Sequence, residues 1–240
     1  QFGVLYDLHA TAKNFFVSKL GEAPEVMRYV LSRGLAEETI REFELGYAPP
    51  VRDALTVFLL TQGFHIADIE RAGLALRADR GGYFDRFRGR LMFPLSDHFG
   101  KVVGFTGRAL PGYDENAMAK YVNSPETPIF KKSKIFYGFH KSKGAIRESG
   151  TAFLVEGQMD YLLAWHDGVK NVLAVSGTAL TPDHLAFLKR YADTLFLGFD
   201  HDEAGGAAME RAIDMAGSHD FEVKVVHFGE ETKDPADYVV

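Results

Sequence analysis

Apolar residues recur at spacings of three and four through "DLHATAKNFFVSKL" (7–20) and "PEVMRYVLSRGL" (24–35), and this period predicts two amphipathic helices, the second stopped by Gly34. Two shorter helical stretches follow, near 52–62 and 66–73, on either side of Gly63. Phe15, Phe16, Phe58 and Phe64 fall at helical core spacing and are assigned to packing. After about residue 80 the pattern changes. "GRLMFPLSDHFGKVVGFTGRAL" (89–110) holds two apolar runs joined by Asp97, His98, Phe99 and Gly100, which predicts a β-hairpin. The turn formers of "PGYDENAMAKYVNSPETP" (111–128) predict an irregular surface loop, a usual home for function.

From residue 151 strands and helices alternate: "TAFLV" and a helix to Asp167, "NVLAV" and a helix over 182–191, "TLFLGF" and a helix over 203–217, then "FEVKVV". Apolar strands without polar alternation, each followed by a helix, imply a parallel sheet covered on both faces. Trp165, on the first of these helices, is assigned to the core. The expected class is α/β: a small mixed α+β subdomain over 1–147, then a Rossmann-like domain with a mainly parallel sheet over 148–240.

Composition narrows the chemistry. The 240 residues are 46% hydrophobic and 25% charged, as in soluble globular proteins, and no apolar run reaches the roughly 18 residues of a membrane span. With no signal peptide visible, the chain reads as cytoplasmic and independent of membranes. It has no cysteine, so disulfides, thiolate nucleophiles and Cys-based zinc sites are excluded. The net charge of -6 hides a polarity: residues 77–147 carry 14 basic and 6 acidic side chains, residues 148–240 carry 6 and 17. A basic middle in an acidic chain can hold a polyanion, or it can be a lopsided solvated surface.

The acidic residues of the last part fall where strands end. "TAFLV" runs into Glu156, with Asp160 behind it; "TLFLGF" runs into Asp200 and Asp202; "FEVKVV" leads to Asp234. Ligands bind beyond the carboxyl ends of such strands, so these carboxylates converge on one rim if the strands are neighbours. Crowded carboxylates repel unless a cation sits among them, and oxygen donors suit Mg²⁺ or Mn²⁺. Two such ions could clamp the attacking and leaving oxygens of a phosphoryl transfer. Asp202 and Glu203 alone could instead serve as the acidic start of a helix, which leaves Glu156, Asp200 and Asp234 unexplained. An EF-hand starting at Asp200 fails at Ala204 and Arg211, "HDE" lacks the cysteines of a zinc deaminase, and there is no P-loop, GxSxG or HExxH; His201 is assigned to the rim or solvent.

"EGQMD" (156–160) with "DHD" (200–202) resembles the metal motif pair of the TOPRIM domain, which primases, topoisomerases and some nucleases share. "RFRGRLMFPLSDHFGKVVGFTGRAL", "KYVNSPETPIFKKSKIFYGF" and "LSRGLAEETIREFELGYAP" resemble the RNA polymerase core of bacterial DnaG-type primases and the segment before it. The resemblance implies DNA-dependent RNA primer synthesis from nucleoside triphosphates on single-stranded DNA, with Glu156, Asp200 and Asp202 as metal ligands and Asp160 and Asp234 in support. It further implies template and nucleotide contacts by Arg88, Arg90, Arg108, Lys120, Tyr121, Asn123 and Lys132. The family often reads Asp-Pro-Asp at the third acidic cluster; here "DPAD" puts Ala236 where a second carboxylate is common, with Asp237 next to it. Family members usually add a zinc-binding domain before the core and a helicase-contacting part after it, so the chain is expected to be a piece of the core, with no zinc of its own. In the whole protein the replicative helicase and the single-strand binding protein are the expected partners.

Period two would set Arg86, Arg88 and Arg90 on one strand face, facing either phosphates or water. Lys131, Lys132 and Lys134 could be a phosphate contact or a solvated run, and Tyr121 and Asn123 could meet a base or shape their loop. A TOPRIM nuclease or topoisomerase would use the same carboxylates to cleave phosphodiesters. A noncatalytic DNA-binding relative is the third reading, and an acidic pocket beside DNA argues against it.

Overall fold

The computed structural model describes residues 2–112, 119–177, 179–199 and 203–226, with the side chains of 203–205 and 207 left aside. Two compact units divide the chain: 1–95 with 101–131, and 96–100 with 132–240. The sequence places the border at 147/148; by contacts, residues 132–147 group with the second unit.

The first unit opens with α1 (Gly3–Gly21), whose buried face is Leu5, Leu8, His9, Ala12, Phe15, Phe16 and Leu20, the stripe its spacing predicts. Then come α2 (Pro24–Ser32), α3 (Glu37–Glu42), β1 (Gly46–Ala48), α4 (Ala54–Thr61), α5 (Ile66–Arg71), β2 (Ala75–Arg77) and β3 (Tyr83–Asp85). The predicted hairpin is β4 (Arg90–Ser96) and β5 (Val102–Ala109). Helix α3 and strands β1 to β3 are each six residues or fewer, too short for a period to show in the sequence. The loop expected over 111–128 contains a further strand, β6 (Tyr121–Asn123), antiparallel to β5 with Thr106 opposite Asn123 and Arg108 opposite Tyr121. Strands run β1-β4-β5-β6 in the sheet, and β2 pairs with β3 apart from it.

Arg86, Arg88 and Arg90 do not share a strand face. Strand β3 stops at Asp85, whose buried carboxylate accepts the N–H groups of Leu55 and Thr56 (2.7 and 2.8 Å) and the Thr56 hydroxyl (2.6 Å), capping α4. Burial pushes that carboxyl above its usual range, against the pull of these three donors. The chain then leaves extended pairing, Phe87 enters the core, and pairing resumes only at Arg90.

In the second unit a 3-10 turn (Lys132–Lys134) leads to α6 (Phe139–Ser149), β7 (Thr151–Val155), α7 (Gln158–His166), β8 (Val172–Ala174), α8 (Pro182–Leu188), β9 (Thr194–Gly198), α9 (Glu203–Gly217) and β10 (Glu222–Val225). The sheet is parallel throughout, in the order β10-β9-β7-β8. Its strands bury Ala152, Leu154, Leu173, Leu195 and Leu197 in one core with α6, α8 and α9. Helix α6 escapes the sequence reading because Lys141, Lys143, Arg147 and Glu148 surround a stripe of only Phe139, Ser142 and Ile146. Gly138 begins it at φ 81, and a Cβ there would stand 2.1 Å from the Tyr161 ring, so only glycine fits. Helix α8 ends at Leu188, earlier than 191, while α9 spans the expected 203–217. Trp165 is buried as expected.

Candidate metal centre and nucleic-acid contacts

Strand β7 is an interior strand, and its apolar run delivers Glu156 to the carboxyl edge of the sheet, half-buried. Asp160 stands in the first turn of α7, where its Oδ2 accepts the Gly157 N–H at 3.0 Å; this fixes the turn directly behind Glu156. On the other side the Ser176 N–H donates to the Glu156 carbonyl at 3.0 Å. Ser176 (φ 61) and Gly177 (φ 70) are both left-handed, and a non-glycine residue there stores strain beside the candidate site. A cavity of about 290 Å³ opens next to Glu156, walled by Val175, Leu180, Phe199 and Met215, with Arg211 as its cation.

Pairing of β7 with β9 sets Val155 opposite Gly198, so the chain leaving β9 passes one strand over from Glu156. Asp200, His201, Asp202, Asp234, Ala236 and Asp237 lie outside the described residues. Among the described residues no three histidine, aspartate or glutamate side chains gather in one place. What is described suits a hard divalent cation: the charged oxygen donors at this edge are the carboxylates of Glu156 and Asp160.

In the first unit, Thr106, Arg108, Tyr121 and Asn123 lie on one face of the β5–β6 pair. The Thr106 hydroxyl donates to Asn123 Oδ1 at 2.6 Å, and Arg108 donates to the Tyr121 hydroxyl at 3.1 Å with its guanidinium 5.6 Å from that ring. Tyr121 and Asn123 therefore belong to a strand, with side chains held by β5. Lys120 is exposed at the start of this strand, its carbonyl accepting the Ala109 N–H. Arg88 lies over the Phe84 ring at 5.0 Å, half-buried.

Arg90 sits differently. It is 2% exposed, and its Nη1 donates to the carbonyls of Gly107 (3.1 Å) and Ala119 (2.9 Å). Gly107 makes this crossing feasible, since a Cβ there would stand 2.9 Å from Arg90 Cδ. Burial, and then the charge of Arg88, lowers the Arg90 pKa.

Lys132 is half-buried in the 3-10 turn of the second unit, and Lys131 is exposed. Sequence reasoning passed over His184 and Thr181, which hold this turn from α8. The signal was there in "TPDH", a threonine cap with proline at the first helical position and a histidine where the cap bonds.

Residues 15–143 match the family described as DNA primase catalytic core, N-terminal domain, and residues 153–239 match the Toprim-like family. A DNA primase of Clostridium acetobutylicum is 37% identical over 240 residues, covering 100% of this chain and 39% of the relative. The chain thus spans about two fifths of that relative's length. The RNA polymerase domain of the Mycobacterium tuberculosis primase superposes with a TM-score of 0.88 at 35% identity, covering 99% of this chain and 79% of that one. A DnaG primase catalytic domain bound to single-stranded DNA superposes with a TM-score of 0.84 at 32% identity, covering 98% and 73%. Divalent-metal use in general goes with the Toprim match.

Proposed function

Because the chain belongs to the bacterial DNA primase catalytic-core family, with a Toprim-like second part, we propose that it is the RNA-polymerising core of a primase, which joins ribonucleotides into short primers on single-stranded DNA. The observation that carries this reading is Glu156 at the carboxyl edge of an interior parallel strand, in a chain alike over 99% of its length to a primase RNA polymerase domain. In the reaction the 3′-oxygen of one ribonucleotide bonds to the α-phosphorus of the next triphosphate, the α–β bridging bond breaks, and pyrophosphate leaves with its electron pair. Glu156, Asp200 and Asp202 hold two or more divalent ions, Mg²⁺ or Mn²⁺, with Asp160 and Asp234 in support. The bound ions supply a lowered pKa for the attacking hydroxyl and neutralise charge on the phosphates.

The protein's own part is positioning. Asp160 fixes the turn behind Glu156 by taking the Gly157 N–H. Arg88, Arg108, Lys120 and Lys132 meet phosphates of template and triphosphate, Arg by its two-pronged geometry. Tyr121 and Asn123, locked by Arg108 and Thr106, present a ring and an amide to a base. Arg90 serves them from beneath by fastening their strand. In the whole protein the replicative helicase and single-strand binding protein are the partners, and the cytoplasmic replication fork is the place of work.

The test is primer synthesis on single-stranded DNA with labelled ribonucleotides and Mn²⁺ or Mg²⁺, using the protein extended to the length of its primase relatives. Template-dependent RNA that disappears with Glu156→Gln and with Asp200→Asn is the expected result. Cleavage of DNA without triphosphates would transfer the site to the nuclease reading; DNA binding with neither reaction would leave a noncatalytic relative.

A further inference from the structure

Three hydrogen bonds join the start of α8 to the turn that carries Lys132, and a fourth caps the helix itself. The Thr181 hydroxyl donates to the Ser133 carbonyl at 2.8 Å while its oxygen accepts the His184 N–H at 3.1 Å. His184 Nε2 lies 3.1 Å from the Lys132 carbonyl and 3.3 Å from the Ile135 carbonyl. Both partners are acceptors, so Nε2 carries a proton, and burial favours the neutral ring. The imidazole is fully buried and packs on Phe136 with ring centroids 4.6 Å apart. Its Nδ1 has no hydrogen-bond partner among the described residues.

That orphan nitrogen is what a purely structural role fails to explain. Burying a polar atom without a partner costs on the order of 1–3 kcal/mol, and a leucine would fill the same volume without that cost. The histidine provides what leucine cannot, a donor to two carbonyls of a lysine-bearing turn. An ion pair between Lys134 and Asp183 runs alongside at 3.6 Å, but both side chains are 56% exposed, so it adds little. The other end of the same segment touches the candidate metal centre: the Ser176 N–H bonds the Glu156 carbonyl, and Leu180 walls the cavity beside it. Ser176 thus holds the backbone of Glu156, while Thr181 and His184, a few residues further on, hold the backbone of Ser133 and Lys132, all within one unit.

We propose that Thr181 and His184 are positioning residues that set Lys132 at its working distance from the metal-binding edge, so that the lysine meets the triphosphate whose phosphates the metals hold. This rests on the reading of Lys132 as a triphosphate contact. The test is a titration of a fluorescent nucleoside triphosphate into this chain at saturating Mn²⁺, with Lys132→Ala, His184→Ala, His184→Gln and the double alanine variant. Lys132→Ala and His184→Ala are each expected to weaken triphosphate binding about tenfold, with the double variant no weaker than either. His184→Gln, whose amide can donate near the Nε2 position, is expected to recover most of the loss. Mn²⁺ affinity measured by spin resonance stays unchanged in all four, which a general loosening of the unit would not allow.

Full affinity in His184→Ala beside a weakened Lys132→Ala would overturn the positioning role and leave the Lys132 contact standing. Losses that multiply in the double variant would overturn it too. No effect of Lys132→Ala would overturn the contact, and the positioning role with it. If His184→Ala fails to melt cooperatively, Thr181→Ala carries the same comparison, since it removes the bond to Ser133 and leaves the imidazole in place.

Discussion

His9 shows how a single side chain ties stability to pH. It lies on the buried face of α1, its Nδ1 2.7 Å from the Leu5 carbonyl and its ring stacked 5.8 Å from Phe105. Burial lowers its pKa from 6.5 to about 4, against the smaller upward pull of the Leu5 and Ala72 carbonyls. Between those two values the unfolded chain holds a proton on this ring and the folded chain does not. The neutral ring thus favours the fold fully above pH 6.5, and this stability drains away as pH falls towards 4, by about 3 kcal/mol in all. Burial lowers His184 too, with the same sign. In urea melts from pH 7 to pH 4, His9→Leu is expected to lose stability less steeply than the parent by up to about 1.4 kcal/mol per pH unit. Parallel acid limbs would assign the loss to other groups. The sequence marks His9 only as one more position on an apolar stripe; its titration follows from neighbours far along the chain, which no spacing reveals.

At the scale of elements, long and periodic segments were legible and short or interrupted ones were not. Helices α1 and α9 and strands β7 and β9 stand where their patterns put them, because a stripe of seven residues or an unbroken apolar run leaves one solution. The alternation of Arg86, Arg88 and Arg90 misled, because the strand it suggested is broken by Asp85, whose carboxylate caps a helix 30 residues earlier. Arg90 has become a fastener: at the start of β4 it binds one carbonyl in β5 and one just before β6, closing the base of the strand that carries Tyr121 and Asn123. Arg90→Met keeps the apolar stem and removes both donors, so it is expected to destabilise the first unit by about 2 kcal/mol. Faster amide exchange over 107–123 would accompany the loss. A variant of unchanged stability and exchange that binds nucleic acid more weakly would instead make Arg90 a direct phosphate contact.

For the molecule as a whole, the segregation of charge shapes the proposed hold on nucleic acid. Residues 77–147 carry a net excess of eight positive side chains, while residues 148–240, which bear the candidate metal-binding edge, are strongly acidic. A single strand bound through phosphates releases counterions, and its affinity falls with log salt by about 0.7 for each contact. Arg88→Ala, Arg108→Ala and Lys120→Ala should therefore each lower the slope for single-stranded DNA by about 0.7, whatever the base sequence. Arg90→Met, whose parent guanidinium faces inward, should leave it unchanged. The acidic edge acts with the opposite sign. Without divalent ions Glu156 repels phosphate, so Glu156→Gln should bind DNA more tightly than the parent in chelator, and saturating Mg²⁺ should narrow the gap because the bound ion already offsets the carboxylate. Fluorescence anisotropy across a salt series, with and without Mg²⁺, measures both effects. If the slope ignored the three basic residues, DNA would be held elsewhere; if Glu156→Gln bound no better in chelator, the bound strand would not sense the charge of Glu156.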